Sequence, residues 1–232
     1  GSLGNSELYK VGYPKMDPYF SGNNFDRKKI INSLGLDLEK PVVLFAPTYK
    51  PTCLYDLKEA IFKSTKDYNL IIKLHHYAWM GKYASHRQHK IFEDQIEQYP
   101  HAIIIPKEDY NILPLLFVAN TLVSEASGAI TEFLATGKTG VIYNLNQESL
   151  KHSDGEALLG FDNREYLKES FVHVDTPDEL HAGIKFALNP SDEMKKAQER
   201  DKKKIFSKLD GHASIRVKQI VEQLISDNIK VQ

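Results

Sequence analysis

Cysteine is almost absent from this sequence: Cys53 stands alone among 232 residues. A single thiol excludes a disulfide within the chain and fits a reducing compartment, so a cytoplasmic location is expected. No run of about 18 apolar residues occurs, so no segment is expected to cross a membrane as a helix. Charge of one sign is not in excess either. The formal net charge is −1, so no overall field favours nucleic acid, and none is expected as a partner. Neither a Walker phosphate loop nor a Gly-x-Gly-x-x-Gly fingerprint is present, which argues against nucleotide hydrolases and dinucleotide dehydrogenases. A Gly-x-Ser-x-Gly elbow is also missing; Ser127 has glycine on one side only, so a serine hydrolase is not expected. Nine histidines invite a metal reading. His75 and His76 would point to opposite faces of a strand, however, and suit one ion poorly. His86 and His89 have helical spacing, but no carboxylate or cysteine motif completes a ligand set. No metal or cofactor is expected.

What is present is an ordinary globular composition, with 41% hydrophobic and 26% charged residues, enough apolar material for a sizeable core. Residues 1–5 read as an appended tag, with no signal peptide after them, and 6–232 as one domain, a piece of a longer protein. Apolar strands are expected at 42–46, 70–74, 102–105, 121–124, 140–143 and 171–174. Helices are expected near 25–34, 55–65, 88–99, 112–119, 128–136 and 177–187. Strands separated by single helices indicate βαβ units. Consecutive apolar residues within each strand indicate a sheet covered on both faces. The expected fold is therefore α/β, a doubly wound Rossmann-like parallel sheet. After Val174 the pattern is purely helical. Asp192 to Lys208 is highly charged, and its Lys202-Lys-Lys204 run, interleaved with acids, reads as a solvated helix face. Ser214 to Ser226 carries Ile215, Ile220, Val221, Leu224 and Ile225, which should pack back on the sheet. The stretch from Asn144 to Arg164 lacks periodicity and reads as a long loop, a common carrier of function.

The stretch from Leu122 to Gly137 carries the clearest chemistry. Leu122 and Val123 end a strand, Ser124, Glu125, Ser127 and Gly128 form a turn, and Ile130, Phe133 and Leu134 recur at helical spacing before Gly137. Free N–H groups at such a helix start attract phosphate, and Glu132 stands one turn on, within reach of a ribose. Ser127 is equally suited to capping the helix with no ligand present. Two other segments follow strands directly and meet on the same rim of such a sheet, where ligands bind. These are Pro47-Thr48, and Lys73 with His75 and His76. A histidine there can hydrogen-bond a phosphate or serve as structural filler.

Five segments, taken in order, resemble the CDP-glycerol glycerophosphotransferase family of teichoic-acid and capsule polymerases. Gly12-Tyr-Pro-Lys-Met-Asp17 is similar to the family's Gly-Tyr-Pro-Arg-x-Asp. Leu44-Phe-Ala-Pro-Thr-Tyr49 resembles Tyr-Ala-Pro-Thr-Trp, and Lys73-Leu-His75 resembles Lys-x-His-Pro, with His76 in place of proline. Ala119 to Gly128 is similar to Ala-Asp-x-Leu-Ile-Thr-Asp-Tyr-Ser-Ser, with Glu125 for aspartate and Gly128 for the last serine. Asp210-Gly-His-Ala-Ser-Ile-Arg216 is similar to Asp-Gly-x-x-Ser-x-Arg. The resemblance implies the C-terminal, nucleotide-binding half of a GT-B enzyme.

By that resemblance the donor is CDP-glycerol. His75 is the catalytic residue at the transferred phosphoryl group. Ser127 and Gly128 hold phosphate, Glu132 the ribose, and Pro47 and Thr48 the cleft floor. Lys73, Ser124 and Glu125 belong to the same site, and Ser214 and Arg216 contact phosphate. The family's Trp-His-Gly-Thr-Pro motif belongs to the other half. Trp79 is the only tryptophan and is followed by Met80, so this chain is expected to bind donor without turnover. A polymer or lipid-linked acceptor, and peripheral attachment to the inner face of the membrane, would belong to the longer protein. Gly128 and Glu132 also resemble the Ser-Gly-Gly-x-x-Glu loop of UDP-N-acetylglucosamine 2-epimerases. That leaves a UDP-sugar enzyme, or a module that binds nucleotide without catalysis, as alternatives.

Overall fold

A computed structural model describes residues 7–22, 25–80, 87–146 and 163–229. Six short apolar segments form strands: β1 (Val42–Phe45), β2 (Asn69–Ile72), β3 (Ala102–Ile104), β4 (Thr121–Ser124), β5 (Val141–Tyr143) and β6 (Val172–Val174). All six lie where apolar runs predict them. They pair in parallel in the order β3-β2-β1-β4-β5-β6, the order of a doubly wound Rossmann-like sheet.

Side-chain alternation divides the core into two layers. Val43, Phe45, Leu70, Ile72, Val123 and Val141 face one layer. Val42, Leu44, Ile71, Leu122 and Ile142 face the other. The first layer is closed by α3 (Leu54–Leu57), α4 (Ala60–Ser64) and α9 (Leu180–Leu188). The second is closed by α2 (Arg27–Ser33), α7 (Leu113–Val118) and α8 (Gly128–Ala135). Burial on both faces is why these strands read as unbroken apolar runs. The remaining helices are α1 (Asp17–Phe20), α5 (Tyr77–Met80), α6 (Lys90–Glu93), α10 (Asp192–Ile205) and α11 (Ala213–Ile229).

Gly137 ends α8 as expected: its φ is +73° and its N–H donates to Leu134 O at 3.0 Å, the left-handed stop that glycine adopts freely. The helix predicted over 55–65 is two short ones, α3 and α4, and that over 88–99 is α6 followed by a 3-10 turn at Ile96–Gln98. Spacing marks a buried face, and both pieces keep it, but spacing does not guarantee an unbroken hydrogen-bond ladder. Residues 147–162, most of the expected long loop, lie outside the described residues.

The two C-terminal helices differ from one another. α10 packs on the domain through buried Ala197 and Gln198. α11 departs from the expected packing: Ile215, Val221, Leu224 and Ile225 remain exposed. It is tied at its first turn, where Ala213 N and Ser214 N donate to the Asp17 carboxylate at 3.0 and 2.7 Å. An anion at that end also complements the helix dipole.

β1 and β4 are neighbours, and the chain leaves them toward opposite faces. Strand order reverses here, so their carboxyl ends open a crevice.

Candidate functional site

The crevice is a cleft of about 470 Å³ built from five chain segments. Pro47 and Thr48 follow β1, and Lys73, His75 and His76 follow β2. Ser127, Gly128 and Glu132 belong to the β4–α8 turn and helix, joined by Lys15 and Tyr110. The three rim segments singled out in the sequence therefore meet in one cavity.

The β4–α8 turn settles how Ser127 is used in this structure. Ser127 holds the N-cap position of α8 in extended backbone (φ −148°, ψ 168°), yet its side chain caps no N–H. Its Oγ instead lies 3.0 Å from Ser124 Oγ. A first turn without a side-chain cap keeps unused donors toward the cleft, the arrangement that takes an anion. A Cβ on Gly128 would meet nothing within 4 Å. Packing does not demand glycine there, and its missing side chain leaves the helix end open.

Ser124 and Glu125 sit behind the site. Ser124 is fully buried, and its hydroxyl donates to Ala46 O at 2.8 Å, fastening β4 to the end of β1. Neither residue lines the cleft. Glu125 is 2% exposed and accepts from Thr48 N and, at 3.1 Å, from Cys53 N. Its carboxylate thus fixes the 48–53 loop, and its other border is a smaller cavity of about 210 Å³ shared with Thr48 and His75. The sequence places both among the ligand contacts. In the fold they are supports for Thr48 and Ser127.

Lys73 is the unusual charge. It is 8% exposed, and among the described residues its Nζ makes one bond, a long one of 3.4 Å to Leu74 O. Among the described residues no carboxylate lies within salt-bridge distance. Burial lowers its pKa, with Asp109 opposing the shift. A buried ammonium without an anion is costly, and this one borders a cleft.

His75 receives Tyr77 N–H on Nδ1 at 3.2 Å, so in the neutral ring Nε2 carries the proton and is a donor. Burial first, then the charges on His76 and Lys73, hold its pKa below the usual value. The two histidines do not alternate across a strand as the sequence suggested, because β2 ends at Ile72. They stack instead, with ring centroids 4.5 Å apart. Among the described residues no group of three or more metal-ligating side chains converges. His86 lies outside those residues, and His89 stacks on Trp79 at 4.6 Å.

Glu132 is 6% exposed and already has partners. Lys15 Nζ is 2.5 Å and Tyr13 Oη 3.1 Å from its Oε1. Burial, followed by the Glu132 charge, pushes the Tyr13 phenol up to about 12. Glu132 thus ties the N-terminal segment to α8 while bordering the cleft. Lys15, Tyr13 and Tyr110 received no role from sequence spacing. The motif holding Tyr13 and Lys15 lies more than a hundred positions before Glu132, so only tertiary contact reveals the pairing.

Ser214 and Arg216 are not brought to the cleft. Ser214 is exposed at the start of α11. Arg216 forks onto Asp210, with one contact at 2.9 Å, and donates to Val11 O at 3.1 Å. The guanidinium holds Asp210 down at about 2. The closing motif is a clasp between the N-terminal segment and α11, apart from the cleft where the sequence placed its phosphate contacts.

A family model for CDP-glycerol:poly(glycerophosphate) glycerophosphotransferase matches residues 3–223. The chain belongs to this family. No curated protein matches the chain by sequence. Among solved structures, the wall teichoic acid polymerase TagF aligns with a TM-score of 0.65 at 17% identity, over 95% of this chain and 52% of that one. A glycosyltransferase from Rickettsia africae ESF-5 aligns at 0.57 and 16%, over 90% and 54% of the two chains. The UDP-GlcNAc 2-epimerase from Neisseria meningitidis, solved with UDP-GlcNAc, aligns at 0.51 and 11%, over 84% and 48%. These likenesses establish the fold of this glycerophosphotransferase-family chain as one half of a GT-B architecture. The chain spans about half the length of the polymerase it matches. Among its described residues no helix is long and apolar enough to cross a membrane.

Proposed function

We propose that this domain binds the nucleoside diphosphate donor CDP-glycerol, with the diphosphate at the β1, β2 and β4 strand ends. Lys73 carries the reading. A buried ammonium that has no carboxylate within salt-bridge distance among the described residues borders the same cavity as an uncapped helix start, and a diphosphate would bring two negative groups to them. Ser127 Oγ and the first amides of α8 take phosphate oxygens, and His75 donates from Nε2 to the phosphoryl group transferred. Glu132 faces the ribose while keeping its bond to Lys15.

In the complete enzyme an acceptor hydroxyl attacks the β-phosphorus. A new P–O bond forms, the bond to the α-phosphate oxygen breaks, and CMP leaves. The hydroxyl proton passes to a base in the other half, where the family's second histidine lies. Positioning and charge stabilisation supply most of the catalysis, as in phosphoryl transfer generally. The cell-wall or capsule polymer acceptor, the cytoplasmic membrane face as working place and the silence of the isolated domain are parts of the same proposal.

Calorimetric titration with CDP, UDP and cytidine tests it. CDP should bind tighter than cytidine, because only CDP reaches Lys73. Equal affinities would remove the phosphate site. A preference for UDP over CDP would favour the UDP-sugar reading, which the Gly128 and Glu132 pattern supports.

A further inference from the structure

Tyr13 is bonded to a residue of the cleft and also lines a second cavity. Its hydroxyl donates to Glu132 on the cleft side, and it also lines an open cavity of about 570 Å³ whose charged residues are Lys10, Lys203 and Lys204. Phe206, 5.8 Å from Tyr13 ring to ring, and Ser207 complete the wall. Among the described residues no carboxylate lines it. Lys204 also borders a neighbouring cavity of about 440 Å³ that does contain acids, Glu165, Glu169 and Asp201. The acid-free side is the one toward Lys10 and Lys203.

Lysines in the last turn of a helix offset its dipole, and this accounts for having cations at the end of α10. It does not account for Lys10, which arrives from the N-terminal segment. Nor does it account for the pairing pattern. On the same helix Lys195 pairs with Asp192 at 3.2 Å, Arg200 with Glu169 at 2.9 Å, and Lys202 with Glu199, while Lys196, which does not line this cavity, has no salt bridge among the described residues. Among the described residues Lys10, Lys203 and Lys204 have no carboxylate within salt-bridge distance. Three like charges converge from two segments on one concavity.

We propose that this cavity binds phosphodiester groups of the acceptor polymer, a poly(glycerophosphate) chain; this rests on the family reading above. Each repeat of such a chain carries one fixed negative charge, matching a row of ammonium groups. The concavity suits a flexible chain better than a flat membrane surface. The Tyr13 and Phe206 rings offer a wall to the aliphatic carbons between phosphates. Its connection through Tyr13 to the donor cleft would keep linked repeats close to the site of transfer.

The 232-residue chain is titrated by calorimetry with a short synthetic oligo(glycerol phosphate) and, separately, with CDP. In the double variant Lys203→Glu and Lys204→Glu the oligomer should bind roughly tenfold more weakly at low salt, while CDP changes by less than about twofold. Lys10→Glu should weaken the oligomer likewise, and circular dichroism checks that each variant is folded. Unchanged oligomer affinity in these variants overturns the proposal, as does an equal loss for CDP, which would assign the lysines to the donor cleft. A wild-type chain that binds phosphatidylglycerol vesicles but ignores the soluble oligomer also overturns it. If CDP fails to bind wild type while the oligomer binds through these lysines, the donor reading falls and this one stands.

Discussion

Replacing Lys73 by methionine should separate ligand binding from folding. The side chain keeps its length and apolar stem but loses the ammonium. Two opposite charges about 4 Å apart near a protein surface attract by about 4 kcal/mol at an effective dielectric of about 20. A hydrogen bond to a charged group nets about 1.5–3 kcal/mol after desolvation. Part of Lys73's desolvation is already present in the free protein, since it is 8% exposed and has no salt-bridge partner among the described residues. CDP should therefore bind roughly ten- to a hundredfold more weakly to Lys73→Met, with cytidine unchanged. The ligand-free variant should be as stable as wild type or more so, because an unpaired buried charge has been removed. A gain of about 1 kcal/mol would raise the melting midpoint by about 2–4 °C in a chain of this size. Calorimetry with both ligands and thermal melts without ligand read the two effects. A lower melting midpoint together with unaltered CDP affinity would refute the reasoning, since Lys73 would then be a structural residue.

Three further outcomes follow from the same geometry. Burial first, then the electrostatic influence of the neighbouring His76 and Lys73, hold His75 below its usual pKa, so near neutral pH it is uncharged, and a bound diphosphate should raise its pKa. The affinity advantage of wild type over His75→Ala for CDP should then widen as pH falls through and below about 6.5, the comparison cancelling titration of CDP itself; a ratio constant with pH contradicts this. In Glu125→Ala the Thr48 and Cys53 N–H groups lose their acceptor. Unfolding free energy should fall by about 2 kcal/mol or more, with partial rescue by Glu125→Gln, and equal melts for the two variants would exclude the support role. Gly140→Ala would put a methyl 2.8 Å from Leu122 O and from the Phe171 ring. Denaturant unfolding should show a loss of about 1–3 kcal/mol, and a neutral result would mean the β4–β5 contact is looser than described.

Much of the fold is legible in the sequence because burial on two faces imposes unbroken apolar runs on β1 to β6. The rim residues Thr48, His75 and Ser127 were likewise recognisable, since each directly follows a strand. What spacing does not carry is direction and long-range pairing. Glu125 reads as a ligand contact beside Ser127, but the fold turns it toward two loop amides. Glu132 looks available one turn into α8, yet Lys15 and Tyr13 reach it from the N-terminal segment. Arg216 resembles a phosphate contact within its motif, and its guanidinium is instead held by Asp210. The apolar spacing of α11 predicts a buried face, and among the described residues nothing covers Ile215, Val221, Leu224 or Ile225.

A crystal structure of the chain with CDP tests the central claim most directly. The β-phosphate should lie within hydrogen-bond distance of Lys73 Nζ and Ser127 Oγ, with His75 Nε2 alongside. The roomier cavity of about 870 Å³ beside β3, bordered by Trp79, Arg87 and His89, is the competing place. Density for CDP there, or for the base rather than the diphosphate at Ser127, would contradict the account.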